Sequence, residues 1–394
     1  MGLCFCDERE MALGEQCIPK KKIRSSNIEL MRIILMVIII MHHYVVNSGI
    51  MDGVNLSDLS VNVVFLQYWG MWGKMAINAY VMVSGFFLCT SSLTWQKYMK
   101  LLLQILFYQF VLYAILIVLG YATLAPKEMF KTIFALFYGA GNSFVSSFML
   151  FYLFVPYLNK LLDSIKNKGG VERLLVLLFV VNTITVTFFK SHAFNEITWY
   201  MNIYFVGAYL RLYAGAWSKR LSFSVKWLLL FVALSFLSIA ALDAIGMRLH
   251  KDWVFAYYFM IDSSKILAFF VSIGVFLLFK NLPMKHSHFI NVVAKTTFGV
   301  LLIHAHSDAM RTLLWKHLAD VPSMLNASTS ALILHAMIWA PLVFIVCSAL
   351  DYLRIRYLEP PVMNWIYKNS DTIEAHTNRM ILNLRTMGKK IVGE

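Results

Sequence analysis

Two residue types capable of chemistry stand on one otherwise apolar stretch: Arg32 and His43, with Ile33 to Met41 between them carrying no polar side chain. A separation of eleven residues is almost three helical turns, so both side chains point the same way, about 16 Å apart along the axis. A guanidinium offers a planar donor fork that suits phosphate or carboxylate. An imidazole serves as general base or as nucleophile. Glu29 stands three residues before Arg32 and can pair with it. His42 lies about 100° round the helix from His43. An arginine at a helix end also snorkels to lipid headgroups. A histidine deep in an apolar helix is costly, and such groups usually mark function.

The elements that must hold this pair are membrane helices. Hydrophobic residues make up 59% of the 394-residue chain and charged residues only 14%, where soluble domains carry about a quarter charged. The fold class is therefore all-α: a polytopic integral membrane helical bundle of about ten transmembrane helices. The expected spans are 28–49, 63–92, 101–122, 143–163, 171–189, 197–214, 225–246, 254–280, 290–315 and 329–352. The second contains Gly70, Gly73 and Lys74 and is expected to be broken near its outer end. Residues 127–141 are apolar but too short to span, which suits an interfacial or re-entrant piece.

Orientation follows from Lys and Arg in the connections. Basic residues precede span one (Lys20, Lys21, Lys22, Arg24) and follow spans two, four, six, eight and ten. The first connection after span one holds Asp52 and Asp58 and no basic residue. Both termini are thus expected in the cytoplasm. Residues 1–26 form a cytoplasmic segment, 27–360 the transmembrane domain and 361–394 a cytoplasmic tail. The first twenty-odd residues lack an apolar h-region, so insertion is expected to begin with the first membrane helix. The net charge of +14 is spread in short clusters between apolar runs, a topological pattern that argues against nucleic-acid binding. Cys4, Cys6, Cys17, Cys89 and Cys347 show no zinc spacing and read as free thiols, and no metal is expected.

Other polar groups sit within the spans. Asn78, Ser84 and Gly85 lie in the second, and Asp262 and Lys265, one turn apart in the eighth, read as a structural ion pair. The ninth carries His304, His306, Asp308 and Arg311 near its outer end. His335 in the tenth reads as a hydrogen-bonded core histidine.

Six segments in order complete a pattern. They are Glu29-x-x-Arg32-Ile33-Ile34 with His42-His43-Tyr44; Ile77-Asn78-Ala79-Tyr80-Val81-Met82-Val83-Ser84-Gly85-Phe86-Phe87-Leu88; Phe148-x-x-Phe151-Tyr152-Leu153 with Val155-Pro156-Tyr157-Leu158-Asn159; Tyr204-Phe205-Val206-Gly207-Ala208-Tyr209-Leu210-Arg211; Thr297-Phe298-Gly299-Val300-Leu301-Leu302-Ile303-His304; and Asp351-Tyr352-Leu353-Arg354-Ile355. Together they resemble the membrane acyltransferase-3 superfamily, of the bacterial surface-polysaccharide O-acetyltransferase type. The third segment lacks the tryptophan that the family often has at its opening.

The resemblance implies a multi-pass enzyme of the cell (cytoplasmic) membrane. It implies acetyl-CoA, or another acyl-CoA, as co-substrate, and the hydroxyl of a cell-envelope glycan or lipid-linked sugar as acceptor. Carried over by position, His43 looks like the catalytic histidine, with Arg32 its essential companion and Glu29 beside it. His42, Asn78, Ser84, Arg211, His304 and Arg311 are the candidate substrate-binding positions. Among them Asn78, Ser84 and the span-nine histidines are candidates for polarising a carbonyl or orienting His43. The residues also suit other classes. A multi-pass transporter or flippase has the same spans and buried charges, and is told apart by the absence of thioester cleavage. A lipid-dependent glycosyltransferase would use Asp52 and Asp58 as acids, but the outer connections are short for an acceptor.

Overall fold

The structure is a computed structural model, in which residues 24–91, 93–134, 143–165, 167–189 and 195–369 are described. Cys4, Cys6 and Cys17, the Lys20–Lys22 cluster and the tail beyond Asn369 lie outside the described residues, as does the second half of the 127–141 piece.

Fourteen helices follow one another along the described chain. They are α1 (Ser26–Val46), α2 (Val61–Gly70), α3 (Gly73–Leu88), α4 (Trp95–Val118), α5 (Pro126–Ile133) and α6 (Ser143–Ile165); α7 (Lys168–Phe188); α8 (Glu196–Leu212), α9 (Leu221–Arg248), α10 (Ile266–Asn281) and α11 (His288–His304); α12 (Asp308–Leu318); and α13 (Thr329–Leu353) with α14 (Glu359–Lys368). Among the described residues there is no β-strand, only an isolated bridge between Asn55 and Asp252. Side chains that favour extended backbone set the starts. Ser60, Asn195, Ser287 and Ser328 each accept a hydrogen bond from the amide three residues on, capping α2, α8, α11 and α13.

Among the described residues six helices are long and apolar enough to cross a membrane, or seven if the bent pair α11–α12 is one span. The other expected spans differ from the sequence reading in ways the side chains explain. The second divides at Met71–Trp72 into α2 and α3, where Tyr257 Oη donates to the carbonyls of Leu66 (3.3 Å) and Gln67 (2.7 Å) in the last turn of α2. The sixth and eighth are the 17-residue α8 and the 16-residue α10. The eighth begins late because Asp252 caps a short 3-10 turn and the chain then bends through Asp262–Lys265. Lys265 Nζ donates to the Val186 carbonyl at 2.9 Å. The ninth is not one straight helix: it turns by 96° after His304. There Ser307 caps a new helix through the Met310 amide at 3.3 Å, so Asp308 and Arg311 leave the axis of α11.

Backbone contact at glycine sets the centre of the bundle. A Cβ on Gly85 of α3 would collide with the Tyr204 carbonyl of α8, and one on Gly207 of α8 would lie 2.9 Å from the Phe86 amide. Small residues let helices in lipid approach this closely, where dispersion rather than water expulsion holds them. Asn78 fastens the same pair: its Oδ1 accepts from Trp199 Nε1 at 2.8 Å and its Nδ2 donates to the Ser263 carbonyl at 2.7 Å.

Contacts also gather the basic connections at one end of the bundle. Asn27 Nδ2 donates to the Lys280 carbonyl (3.2 Å), Lys280 Nζ to the Ser218 carbonyl (2.7 Å), and Ser26 Oγ to Asn291 Oδ1 (3.1 Å). Arg354 joins Asp351 (2.7 Å) and Glu359 (3.0 Å), and Glu359 also meets Lys100. The Asn55–Asp252 bridge and the bonds from Asn62 to the Leu325 and Ala327 carbonyls lie at the far ends of the same helices.

Replacing Gly85 by leucine forces α3 away from α8 and is expected to cost about 1–3 kcal/mol or more. A thermal-unfolding midpoint of the purified protein in detergent equal to wild type would show that the two backbones do not meet there.

Candidate active site

α1 and α11 run parallel, side by side, and polar residues join them at three levels. Ser26 bonds Asn291 (3.1 Å), Arg32 Nη2 donates to Thr297 Oγ1 (3.3 Å), and His43 Nδ1 meets His304 Nε2 (3.0 Å). Between the second and third levels α1 buries Leu35, Met36, Ile39 and Ile40 in the core. The helix is continuous from Ser26 to Val46, so the separation of Arg32 and His43 is that of helical rise, about 16 Å. α13 packs against α11 as well: Thr296 Oγ1 donates to Ser348 Oγ at 3.0 Å, and the Asp351 carboxylate packs on the face of Gly299, where a Cβ would not fit.

At the Arg32 level the guanidinium is shared. Its Nη1 bonds Glu29 Oε2 at 2.8 Å, and its carbon lies 5.4 Å from the centre of the Tyr80 ring. Tyr80 Oη in turn bonds Thr297 Oγ1. Glu29 also takes Arg24 at 3.2 Å, so one carboxylate faces two guanidinium groups and the cluster keeps a positive excess. The Arg32 side chain remains 20% exposed and Arg24 46%. Such a cluster can receive a polyanion.

At the His43 level the surroundings are basic and aromatic. His304 is buried, and its Nδ1 lies 2.6 Å from the Val300 carbonyl. His43 is only partly buried, and no protein group takes its Nε2 among the described residues. Lys74 at the start of α3 and Arg311 on α12 are close enough to act on His43 electrostatically. Arg311 holds Asp308 at 2.8 Å. His42 turns the other way: its Nδ1 donates to the Gly70 carbonyl at 2.5 Å, and its ring packs on Gly73 at the break between α2 and α3.

The structure therefore sorts the expected site residues. Glu29, Arg32, His43, His304 and Arg311 gather along the α1–α11 seam. His42 bonds the Gly70 carbonyl of α2 through its Nδ1, and Asn78 bonds Trp199 of α8 and the Ser263 carbonyl, both away from the seam. Ser84 is half-buried one turn beyond Tyr80 on α3. Arg211 stands at the basic end of α8, exposed, 5.1 Å from the centre of the Phe86 ring. His335 is a core histidine, bonded to Tyr44 Oη (2.8 Å) and to the Ala319 carbonyl (2.9 Å). Sequence reasoning missed Tyr80, Thr297 and Lys74 as site residues. Tyr80 and Thr297 belong to two of the six segments, yet nothing in their spacing says that they meet.

Among the described residues no group of three His, Cys, Asp or Glu side chains could hold a metal ion. A cavity of about 270 Å³ lies between α7, α8, α9 and α10, lined by Phe179, Val206, Trp227, Phe270 and other apolar residues; none of its lining is on α1 or α11. The chemistry open to the seam is that of an imidazole with an accessible nitrogen and a cationic mouth three turns away. That combination suits transfer of a group from a polyanionic carrier to an acceptor that meets it at His43.

No curated protein and no solved structure matches the chain. The family model of the acyltransferase domain, Acyl_transf_3, matches residues 25–351, which takes in the whole α1–α11 seam. This chain belongs to the acyltransferase-3 superfamily and is a membrane acyltransferase.

Proposed function

We propose that the protein is an O-acyltransferase that moves an acyl group, acetyl above all, from acyl-CoA to a hydroxyl of a cell-envelope glycan or its lipid-linked precursor. The observation that carries this reading is the seam itself: Arg32 and His43 on one face of α1, each docked on α11. The protein sits in the cytoplasmic membrane with its basic end and both termini in the cytoplasm, as the positive-inside rule favours. CoA enters at that end. Its phosphates meet the positive excess of Arg24, Arg32 and Glu29, for which the guanidinium fork is suited. A reach of about 16 Å along the helix is comparable with an extended pantetheine arm, which brings the thioester to His43.

His43 acts there through its accessible Nε2. As general base it takes the acceptor's hydroxyl proton while that oxygen bonds to the thioester carbonyl carbon. The tetrahedral intermediate then collapses: the carbon–sulfur bond breaks and the proton passes from Nε2 to the sulfur, releasing the ester and CoA thiol. Lys74 and Arg311, which both act electrostatically on His43, are suited to stabilise the negative charge that develops on the carbonyl oxygen. Acting instead as nucleophile, the same nitrogen carries the acyl group between donor and acceptor. Quenching the enzyme with acyl-CoA and no acceptor, then weighing the α1 peptide, separates the two: an acyl mass on His43 means a carrier.

His43→Ala is expected to lower acyl transfer from acyl-CoA by about 10²-fold or more while the protein elutes as a monodisperse peak. Near-normal transfer by that variant would overturn the site. For Arg32→Met the loss of a charge-assisted contact of about 1.5–3 kcal/mol predicts a KM for acyl-CoA raised by roughly 10- to 150-fold, measured with purified enzyme. Mass spectrometry of envelope glycans from cells with and without the protein should differ by one acyl group on one polymer. Transport of a substrate with no thioester cleavage would refute the enzymatic reading altogether.

A further inference from the structure

His304 is one member of a chain of hydrogen bonds whose direction can be deduced. The Val300 carbonyl has no hydrogen to give, so at 2.6 Å the Nδ1 of His304 must be the donor. In a neutral ring the other nitrogen, Nε2, then carries a lone pair and no hydrogen. That nitrogen lies 3.0 Å from His43 Nδ1, which must therefore be the protonated nitrogen of His43. The lone pair of His43 is left on Nε2, the nitrogen that no protein group takes among the described residues. The surroundings favour two neutral rings: His304 is 1% exposed, and both Lys74 and Arg311 act on His43, so a further positive charge there is costly.

We infer that His304 is a positioning residue, which transmits the polarity of the Val300 carbonyl to His43 and fixes it as the tautomer whose reactive lone pair is on Nε2. The role rests on the acyl-transfer reading above. An orienting carboxylate performs the same service for the histidine of hydrolytic triads; here a neutral imidazole does it inside the bundle, where an unpaired carboxylate would be expensive. Ring geometry agrees. The two imidazoles are tilted by 45° with centres 5.1 Å apart, so they meet edge to edge through their nitrogens rather than by stacking. When His43 takes a proton on Nε2, both its nitrogens become donors, and the bond to His304 Nε2 becomes charge-assisted. The position of His304 has its own cause. It is the last residue of α11, immediately before the 96° turn, so its side chain can fold back on the carbonyl one turn earlier while the ring faces α1.

Two readouts test the role in the full-length protein in detergent micelles. With 15N-labelled histidine, two-bond nitrogen–proton couplings report which nitrogen is protonated, and His43→Gln identifies the His43 signal. Wild-type His43 is expected to be protonated at Nδ1, and in His304→Leu it is expected to shift towards the Nε2-protonated form. In acyl transfer, His304→Leu should lower kcat by about 10²- to 10⁴-fold with KM for acyl-CoA changed less than about threefold. His304→Gln, which keeps an acceptor oxygen, should recover part of that loss. A wild-type His43 protonated at Nε2 would overturn the inference, as would a normal kcat in His304→Leu. Either result leaves the role of His43 itself standing, because that is decided separately by His43→Ala.

Discussion

The structure depends on a seam between two parallel helices that are distant in sequence. α1 and α11 are bonded at Ser26–Asn291, Arg32–Thr297 and His43–His304. In lipid, polar side chains have no water to fall back on, so each must find its partner within the protein. Because all three bonds join the same two rigid helices, the lowest sets the register of the highest. Parallel neighbours cannot be joined by a short turn, and the nine described helices between them supply the return path. The bundle can be read as the means of holding this seam in register.

Departures from regular helix sit where the seam needs them. The break between α2 and α3 puts the Gly70 carbonyl against His42 and the backbone of Gly73 against its ring. That contact holds the end of α1 on which His43 sits. The turn after His304 removes Asp308 and Arg311 from the axis of α11 and sets Arg311 near the histidines. Close contact of α3 with α8 at Gly85 and Gly207 then fixes the helix that carries Lys74, Tyr80 and Ser84. Each irregularity delivers a polar group to a place that a straight helix could not reach.

Charge divides the site into two ends. At the basic end Glu29 faces Arg24 and Arg32, a cluster whose surplus charge is available to an incoming anion. At the other end no carboxylate bonds His43 among the described residues; its hydrogen-bond partner is the ring of His304. Nine residues without a polar side chain separate Arg32 from His42 and His43. In a chain that belongs to an acyltransferase family and spans a membrane, this arrangement keeps the cationic cluster and the histidine pair apart while a single helix sets the distance between them.

Much was legible in the residues alone. Composition requires a membrane bundle, since 14% charged residues cannot cover a water-soluble surface. Helical periodicity aligns Arg32 with His43, because that relation is local and depends only on rise and turn. The order of six short segments points to the family. What periodicity cannot see is contact between segments. That Thr297 meets Arg32, that His304 meets His43, and that Tyr80 joins the first of these depends on which helices pack and in what register. Breaks were harder still. Gly70 and Gly73 mark the first break in the sequence, but Ala305–Ser307 bears no glycine or proline to announce a turn of 96°. Local spacing determined where the candidate pair lies on its helix; only long-range packing decided which nitrogen of His43 is left without a protein partner, because the hydrogen bond that settles it comes from a residue 261 positions away.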